Sequence, residues 1–225
     1  MTERTLDIIL TGDGSHTLYV PELDETYHSR HGAIRESQHV FIENGLKYLL
    51  ESWESKKVKI LEVGFGTGLN VLVTEEFCQL SPHIVFEYTS LEPFPIPHEI
   101  NKKLNYTEEF ALNNKSWVAL HSAPWGETVQ LLPNFELTKL KSKIQDFETG
   151  DHFNLVFFDA FAPSKQPEMW DIRIFEKIFN MLRPGGILVT YCAQGQFKRT
   201  LNEAGFKVEA LPGPPGKKEM VRACK

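Results

Sequence analysis

The nine residues Glu62-Val-Gly-Phe-Gly-Thr-Gly-Leu-Asn70, entered directly from the apolar run Val58-Lys-Ile-Leu61, constrain this chain more than any other stretch. An apolar strand that ends in a carboxylate and three alternating glycines makes a turn with no Cβ at Gly64, Gly66 or Gly68, so backbone N–H groups can approach a ligand closely. The spacing differs from the dinucleotide fingerprint G-x-G-x-x-G, whose turn serves a pyrophosphate. An acidic residue two positions before the first glycine suits instead a ligand with a cationic centre and no phosphate. S-adenosylmethionine, with its sulfonium and α-amino group, is the common one. A plain strand-to-helix turn is the alternative.

A second anchor follows. Leu69 to Leu80 reads as a helix with Leu72, Glu76 and Leu80 on one face, and Ile84-Val-Phe-Glu-Tyr-Thr-Ser-Leu91 as a strand ending in Glu92. Glu92 lies 24 residues beyond Gly68. A carboxylate there, at the end of the second strand of a doubly wound fold, can accept both ribose hydroxyls. A surface carboxylate at a strand end is the other reading.

At 225 residues and 41 % hydrophobic, the chain can bury one α/β unit with extensions, but not two domains with separate cofactors. Met1-Thr-Glu-Arg-Thr lacks an apolar h-region, and no apolar run approaches the roughly 18 residues that span a bilayer. A cytoplasmic protein without a membrane partner is expected. Cys78, Cys192 and Cys224 are odd in number with no C-x-x-C, which indicates ordinary thiols. His28, His31 and His39 lie near one another, but without H-E-x-x-H they do not predict a metal site. Ser29 and Ser164 lack a nucleophile elbow. The net charge of −6 argues against a nucleic-acid partner, yet Ile187 to Lys225 carries seven basic side chains against three acidic ones, leaving −10 for the rest. That piece, Lys217 and Lys218 included, could steer a phosphate backbone or be a solvated face.

Residues 1–55 read as an N-terminal extension and 56–225 as the main domain. The extension holds a β-hairpin over 4–20, turning at Thr11-Gly-Asp-Gly14, and a helix from Ile34 to Trp53. The domain reads as strand 58–64, helix 68–80, strand 84–91, a helical excursion over 97–112, strand 134–143 and strand 153–158. Helix 168–182 follows, then a break at Pro184-Gly-Gly186, strand 187–192, helix 195–204, and strands 206–211 and 219–224 joined by the loop Leu211-Pro-Gly-Pro-Pro-Gly-Lys-Lys218. Such alternation predicts an α/β fold with a mostly parallel sheet covered on both faces, into which the closing hairpin inserts an antiparallel strand.

Asp159 follows Phe153-Asn-Leu-Val-Phe-Phe158, five of whose six residues are apolar, at the end of the fourth strand, beside the glycine turn, and precedes Phe161 and Pro163. A carboxylate there can accept a hydrogen bond from a substrate amine and aim its lone pair at a methyl group, with Phe161 and Trp170 excluding water. An unperturbed Asp titrates near 3.9, which suits orientation better than full general-base work on an ammonium. Capping of the next loop is the structural alternative for Asp159, and core packing for Phe161 and Trp170.

The blocks Glu62 to Asn70, Ser90-Leu-Glu-Pro-Phe-Pro95, Phe157-Phe-Asp-Ala-Phe-Ala-Pro-Ser-Lys-Gln-Pro-Glu-Met-Trp170 and Gly216-Lys-Lys-Glu-Met220 closely resemble the MnmD/MnmC methyltransferase family. This family finishes 5-methylaminomethyl-2-thiouridine at the tRNA wobble position. Gly12-Asp-Gly14, Asp24-Glu-Thr-Tyr-His-Ser29 and Gly32 to Phe41 resemble its N-terminal extension, so the likeness spans nearly the whole chain. The resemblance implies a class I, Rossmann-like methyltransferase fold, S-adenosylmethionine as donor, and N-methylation of the 5-aminomethyl group of a (2-thio)uridine in the tRNA anticodon loop. By position it places Glu62, Gly64, Phe65, Gly66, Thr67, Gly68, Asn70 and Glu92 on the cofactor and Asp159 at the reacting amine. It places Tyr27, Glu36, Phe161, Lys165, Trp170, Lys217 and Lys218 on the substrate.

Two departures matter. The bifunctional members continue into an FAD-dependent oxidoreductase half, whereas this chain stops at Lys225, so a separate enzyme is expected to supply the aminomethyl group. The family often carries Gly-Asp after its third strand, facing the adenine amino group; here Ser142-Lys143 stands there, with Asp146 as a shifted substitute. A small-molecule methyltransferase, or a non-catalytic cofactor-binding module, is the competing reading, and the acidic net charge supports it.

Overall fold

The computed structural model describes residues 5–109 and 114–225. A hairpin of β1 (Asp7–Leu10) and β2 (His16–Val20) is joined by the short β3 (Glu25–Thr26) in a small antiparallel sheet. The turn of this hairpin does more than reverse the chain. The Asp13 carboxylate accepts from Thr11 Oγ1 at 2.8 Å, from the Ser15 amide at 3.1 Å and from the Arg35 amide at 3.0 Å. Ser15 Oγ accepts from the Ala33 amide at 3.2 Å. Arg35 and Ala33 open the helix α1, which starts at Ala33–Ser37, widens to π geometry over Gln38–Lys47 and ends as Tyr48–Ser52. Its N-cap position, Gly32, has no side chain with which to take up the first-turn amides, so the hairpin supplies the cap. Burial alone would raise the Asp13 carboxyl, but the bonds from Ser15, Arg35 and Thr11 outweigh it and lower it. The hairpin is thereby fixed to α1.

The main sheet has eight strands in the order β10-β11-β9-β8-β4-β5-β7-β6. These are β4 (Lys57–Val63), β5 (Val85–Leu91), β6 (Thr128–Leu132), β7 (Phe135–Leu140), β8 (Phe153–Phe158), β9 (Leu182–Thr190), β10 (Lys207–Pro212) and β11 (Glu219–Cys224). From β7 across β5, β4 and β8 to β9 every pairing is parallel, while β11 runs antiparallel to both neighbours, β9 and β10. All six residues of β8 are buried, which a central strand covered on both faces requires. Alternate side chains serve two cores: Leu155 and Phe157 pack with α1 residues such as Phe41, while Val156 and Phe158 pack with Phe175 and Ile178.

Helices α2 (Leu69–Gln79) and α3 (Asn114–Ser122) contribute to the first core, α4 (Ile172–Met181) and α5 (Gly195–Glu203) to the second. Among the described residues, no helix is long and apolar enough to cross a membrane.

Several sequence expectations change. The single strand expected over 134–143 is the second arm of the hairpin β6–β7, whose link Asn134 gives its side-chain amide to the carbonyls of Cys78, Ser81 and Ile84. The excursion over 97–112 divides into single turns, His98–Asn101 and Tyr106–Glu109, and its residues 110–112 lie outside the described ones. Helix 168–182 resolves into a 3-10 turn, Pro167–Trp170, and α4, whose N-cap Asp171 accepts from the Arg173 amide. The break at Pro184-Gly-Gly186 is a bulge inside β9, where pairing jumps from Phe153–Leu182 to Leu155–Ile187. Leu80, read on one face with Leu72 and Glu76, caps the C-terminus of α2 and is 80 % exposed, whereas Leu72 is buried.

Candidate active site

Strands β4 and β8 lie side by side, but the chain leaves β4 toward β5 on one side and reaches β8 and β9 on the other. Ligand crevices of open α/β sheets form at such a switch point, outside the strand C-termini. Here the two exits touch, the Asp159 amide donating to Val63 O at 3.0 Å. A cavity of about 680 Å³ opens above them, lined by residues after β3, β4, β5, β7, β8 and β9, by Glu36 of α1 and by Lys217 of the β10–β11 loop.

The end of this cavity beside β4 and β5 comes from two short segments. Gly64, Gly66 and Gly68 take φ of +100°, +49° and +80°, the left-handed region that glycine adopts without strain. Their amides are used within the protein: Gly64 and Phe65 donate to Leu91 O, Gly68 to Phe65 O, and Gly66 to Glu92 Oε2 at 3.1 Å. The expectation that these amides face a ligand is therefore corrected. They close the turn, and one of them aims Glu92, whose Oε1 accepts from the Phe94 amide at 2.9 Å.

Glu62 also departs from expectation. It lies fully buried beneath the turn, does not line the cavity, and accepts from Ser90 Oγ. Burial, with Asp159 adding to it against the Ser90 bond, pushes its carboxyl up to about 8. A carboxyl held largely protonated below that pH is no direct partner for a cation. Thr67 and Gly68 likewise lie outside the lining, Thr67 Oγ1 accepting from Tyr106 OH at 3.3 Å. Phe65 lines the cavity, although its ring packs into the core against Trp125 and His121, with Lys139 Nζ 5.3 Å from its centroid. Asn70 does reach the cavity, and Ser142, Lys143 and Asp146 line it after β7.

The opposite end is assembled from distant segments. Asp159 Oδ2 accepts from Asn70 Nδ2 at 2.9 Å, and Asn70 Oδ1 in turn accepts from Ser37 Oγ of α1. Burial pushes the Asp159 carboxyl up to about 7; Glu36 raises it further, while the Asn70 bond and Lys217 oppose the rise. This overturns the premise that Asp159 titrates as an ordinary carboxylate, and it now matches a proton acceptor working near neutrality. Glu36 is buried, Oε2 accepting from the Ser29 amide at 2.6 Å and Oε1 from Lys217 Nζ at 2.5 Å. Tyr27 and Phe161 meet edge to face at 5.1 Å, and Tyr27 Cδ1 lies 3.1 Å from where a Gly66 Cβ would stand.

Three expected substrate residues are placed elsewhere. Trp170 is in the core against Phe158, Phe175 and Phe197, its indole N–H donating to Phe161 O at 2.8 Å, so it braces Phe161 instead of walling the cavity. Lys165 and Lys218 lie outside the lining. The basic C-terminal piece is largely paired within the fold: Lys198 with Glu219, Arg222 with Glu209, Lys217 with Glu36, and Lys225 with the carbonyls of Phe179 and Leu182. Tyr191, not foreseen, lines the cavity and donates its hydroxyl to Ala160 O at 2.8 Å. Its place just after the apolar strand β9 is the signal that could have found it.

The profile of an S-adenosyl-L-methionine-dependent methyltransferase family matches residues 107–225. The chain belongs to that family. The methyltransferase is 30 % identical over 98 % of its length to a "tRNA 5-methylaminomethyl-2-thiouridine biosynthesis bifunctional protein MnmC" of Pseudoalteromonas atlantica. It is 31 % identical over 95 % to the protein of that name from Leptospira interrogans. It covers 34 % of each, so it spans about a third of these curated relatives. The crystal structure of MnmC2 from Aquifex aeolicus superposes with a TM-score of 0.77 at 28 % identity, covering 98 % of this chain and 70 % of that one. The methyltransferase's own residues fit the donor: the Glu92 carboxylate lines the cavity, the amides of Gly64, Phe65, Gly66 and Gly68 are taken up within the protein, and Leu91 and Ile144 supply apolar wall.

Proposed function

We propose that the methyltransferase N-methylates the 5-aminomethyl group of a (2-thio)uridine at the tRNA wobble position, giving 5-methylaminomethyl-2-thiouridine. The observation that carries this reading is Asp159, a half-buried carboxyl pushed up to about 7 that faces the same cavity as the glycine turn and Glu92. The likeness to MnmC over nearly the whole chain supports the choice of acceptor. S-adenosylmethionine supplies a methyl group activated by its positive sulfur.

Glu92 takes the ribose hydroxyls, and the wall from Ser142 to Asp146 takes the adenine. Asp159 removes the proton of the acceptor ammonium, passes it to solvent and, ionised again, holds the neutral nitrogen, while Asn70, pinned by Ser37, keeps the carboxylate aimed. As the N–C bond forms and the nitrogen becomes cationic, the ionised carboxylate beside it is stabilising. Tyr27 and Phe161 exclude water and offer faces to the extruded base. Residues 1–55 act as an extension that closes one wall of the site on the domain 56–225. A separate cytoplasmic enzyme supplies the aminomethyl group.

The internal pairing of the C-terminal basic side chains favours a second reading, a methyltransferase for a small amine, because it leaves few cations to meet a phosphate backbone. Incubation with labelled donor and tRNA bearing 5-aminomethyluridine, followed by nucleoside analysis, tests the choice. Label in 5-methylaminomethyluridine is expected. Label in free aliphatic amines with none in tRNA would favour the second reading.

A further inference from the structure

Three carboxylates line the acceptor end of the cavity, Glu25, Glu36 and Asp159, and two of them, Glu36 and Asp159, are tied into side-chain hydrogen bonds there. Their surroundings differ. Glu36 receives a lysine ammonium on Oε1 and a backbone amide on Oε2, whereas Asp159 receives one neutral side-chain amide on Oδ2. Lys217 is built for its place. Its Nζ lies 3.7 Å from the centroid of the Tyr191 ring, whose hydroxyl is tied to Ala160 beside Asp159.

The proline-glycine loop makes this reach possible. Gly213 donates to Lys218 O at 3.1 Å, the Lys217 amide donates to Pro214 O at 2.9 Å, and a Cβ on Gly213 would stand 2.5 Å from Lys217 O. The loop crosses itself just where Lys217 turns inward, which accounts for a segment that composition alone marks only as a loop.

We propose that Lys217 is a positioning residue that acts through Glu36: as the counter-ion bonded to Glu36 Oε1 it holds that carboxylate away from the substrate ammonium and leaves Asp159 to receive it. The other groups around Asp159 cannot take this part. Glu62 on β4 is a buried carboxyl pushed up to about 8, Tyr88 on β5 and Tyr191 after β9 are raised by burial, and burial pushes His28 down to about 4, so it is uncharged near neutrality. Of the two lysines lining the cavity, Lys143 lies after β7 and is not hydrogen-bonded to either carboxylate, whereas Lys217 is bonded to Glu36. Environments that differ between two neighbouring acids commonly divide acid and base roles in this way.

The inference rests on the proposed amine chemistry, but its test needs no substrate. Carboxyl-carbon NMR of the full chain follows the titration of Asp159 in the wild type, Lys217→Met, Lys217→Arg and Glu36→Gln. A single step near neutrality is expected in the wild type and in Lys217→Arg. In Lys217→Met the Asp159 midpoint moves up as a neighbouring positive charge disappears. In Glu36→Gln the single step moves down by about one pH unit as a neighbouring negative charge disappears.

A wild-type curve in Lys217→Met overturns the assignment, and so does an unmoved midpoint in Glu36→Gln, which decides the matter if Lys217→Met does not fold. The proposed function fails by a different result, absence of methyl transfer to tRNA, whatever Asp159's curve shows.

Discussion

The two ends of the cavity are built in opposite ways. Its donor end comes from β4, β5 and the residues that directly follow them, and short-range backbone bonds hold it: Gly64 and Phe65 to Leu91, Gly66 to Glu92. Its acceptor end gathers Tyr27, Glu36, Asp159, Tyr191 and Lys217 from five separate segments, joined by side-chain bonds such as Ser37–Asn70–Asp159 and Lys217–Glu36. A binding function needed in any methyltransferase can be encoded locally. The part that selects and prepares the acceptor depends on the whole fold, and even on a hairpin turn that caps α1.

Substitutions can separate the two ends. The largest effect is expected from Asp159→Asn, which keeps an acceptor oxygen but loses the charge beside the nitrogen. The expected loss is about 2–4 kcal/mol in the barrier, read as kcat at saturating substrates, with donor affinity by calorimetry unchanged. A parallel loss of donor affinity would mean that the ends are not independent. Next comes Glu92→Ala, where loss of hydrogen bonds from a charged group is expected to raise donor KM by about 1.5–3 kcal/mol with kcat nearly unchanged. An equal fall in kcat would remove Glu92 from ground-state binding.

The pH dependence has two signs to check. In the proposed mechanism Asp159 acts ionised, so kcat is expected to rise with pH along an acid limb near 7. Stability runs the other way. Asp159 and Glu62 are raised to about 7 and about 8 from 3.8 and 4.5, so the folded state keeps protons that the unfolded state releases. The stabilisation is complete below pH ~4 and is lost as pH rises through 7 and 8. Thermal melts should fall over that range, and Glu62→Gln should flatten the decline; a melt independent of pH from 5 to 9 would contradict both burials. The smallest effect belongs to Lys218→Ala, expected to weaken tRNA association by less than about threefold and to lower the salt slope by less than one counter-ion. A tenfold loss would restore the basic tail as a major RNA contact.

The donor end could be read along the chain because its signals are contiguous: an apolar run, a carboxylate, three glycines and a second strand closing in Glu92. The direction of its amides could not, since that depends on φ values and on Leu91 standing opposite. Asp159 was legible as a strand-end carboxylate, but its titration near neutrality was not, because that comes first from burial in the folded crevice and then from Glu36, 123 residues away in the chain. Trp170 and Phe161 look alike in sequence as aromatic neighbours of Asp159. Only the turn at Pro167–Trp170, which folds the indole back onto Phe158 and Phe197, separates core from wall. The charge of the C-terminal stretch was visible as a sum, whereas its pairing with Glu36, Glu209 and Glu219 arises from strand order.

The insertion of β11 between β9 and β10 also bears on how the molecule is made on the ribosome. Until Glu219–Cys224 has emerged, β9 has a bare edge and β10 has no neighbour in the main sheet. A nascent chain stalled before Glu219 therefore carries an unpaired row of backbone groups on an apolar strand, the kind of edge that recruits other chains. Lys217, which enters with that strand, reaches Glu36 only when the sheet closes. Covering of that edge and formation of the Lys217–Glu36 pair therefore come with the same strand.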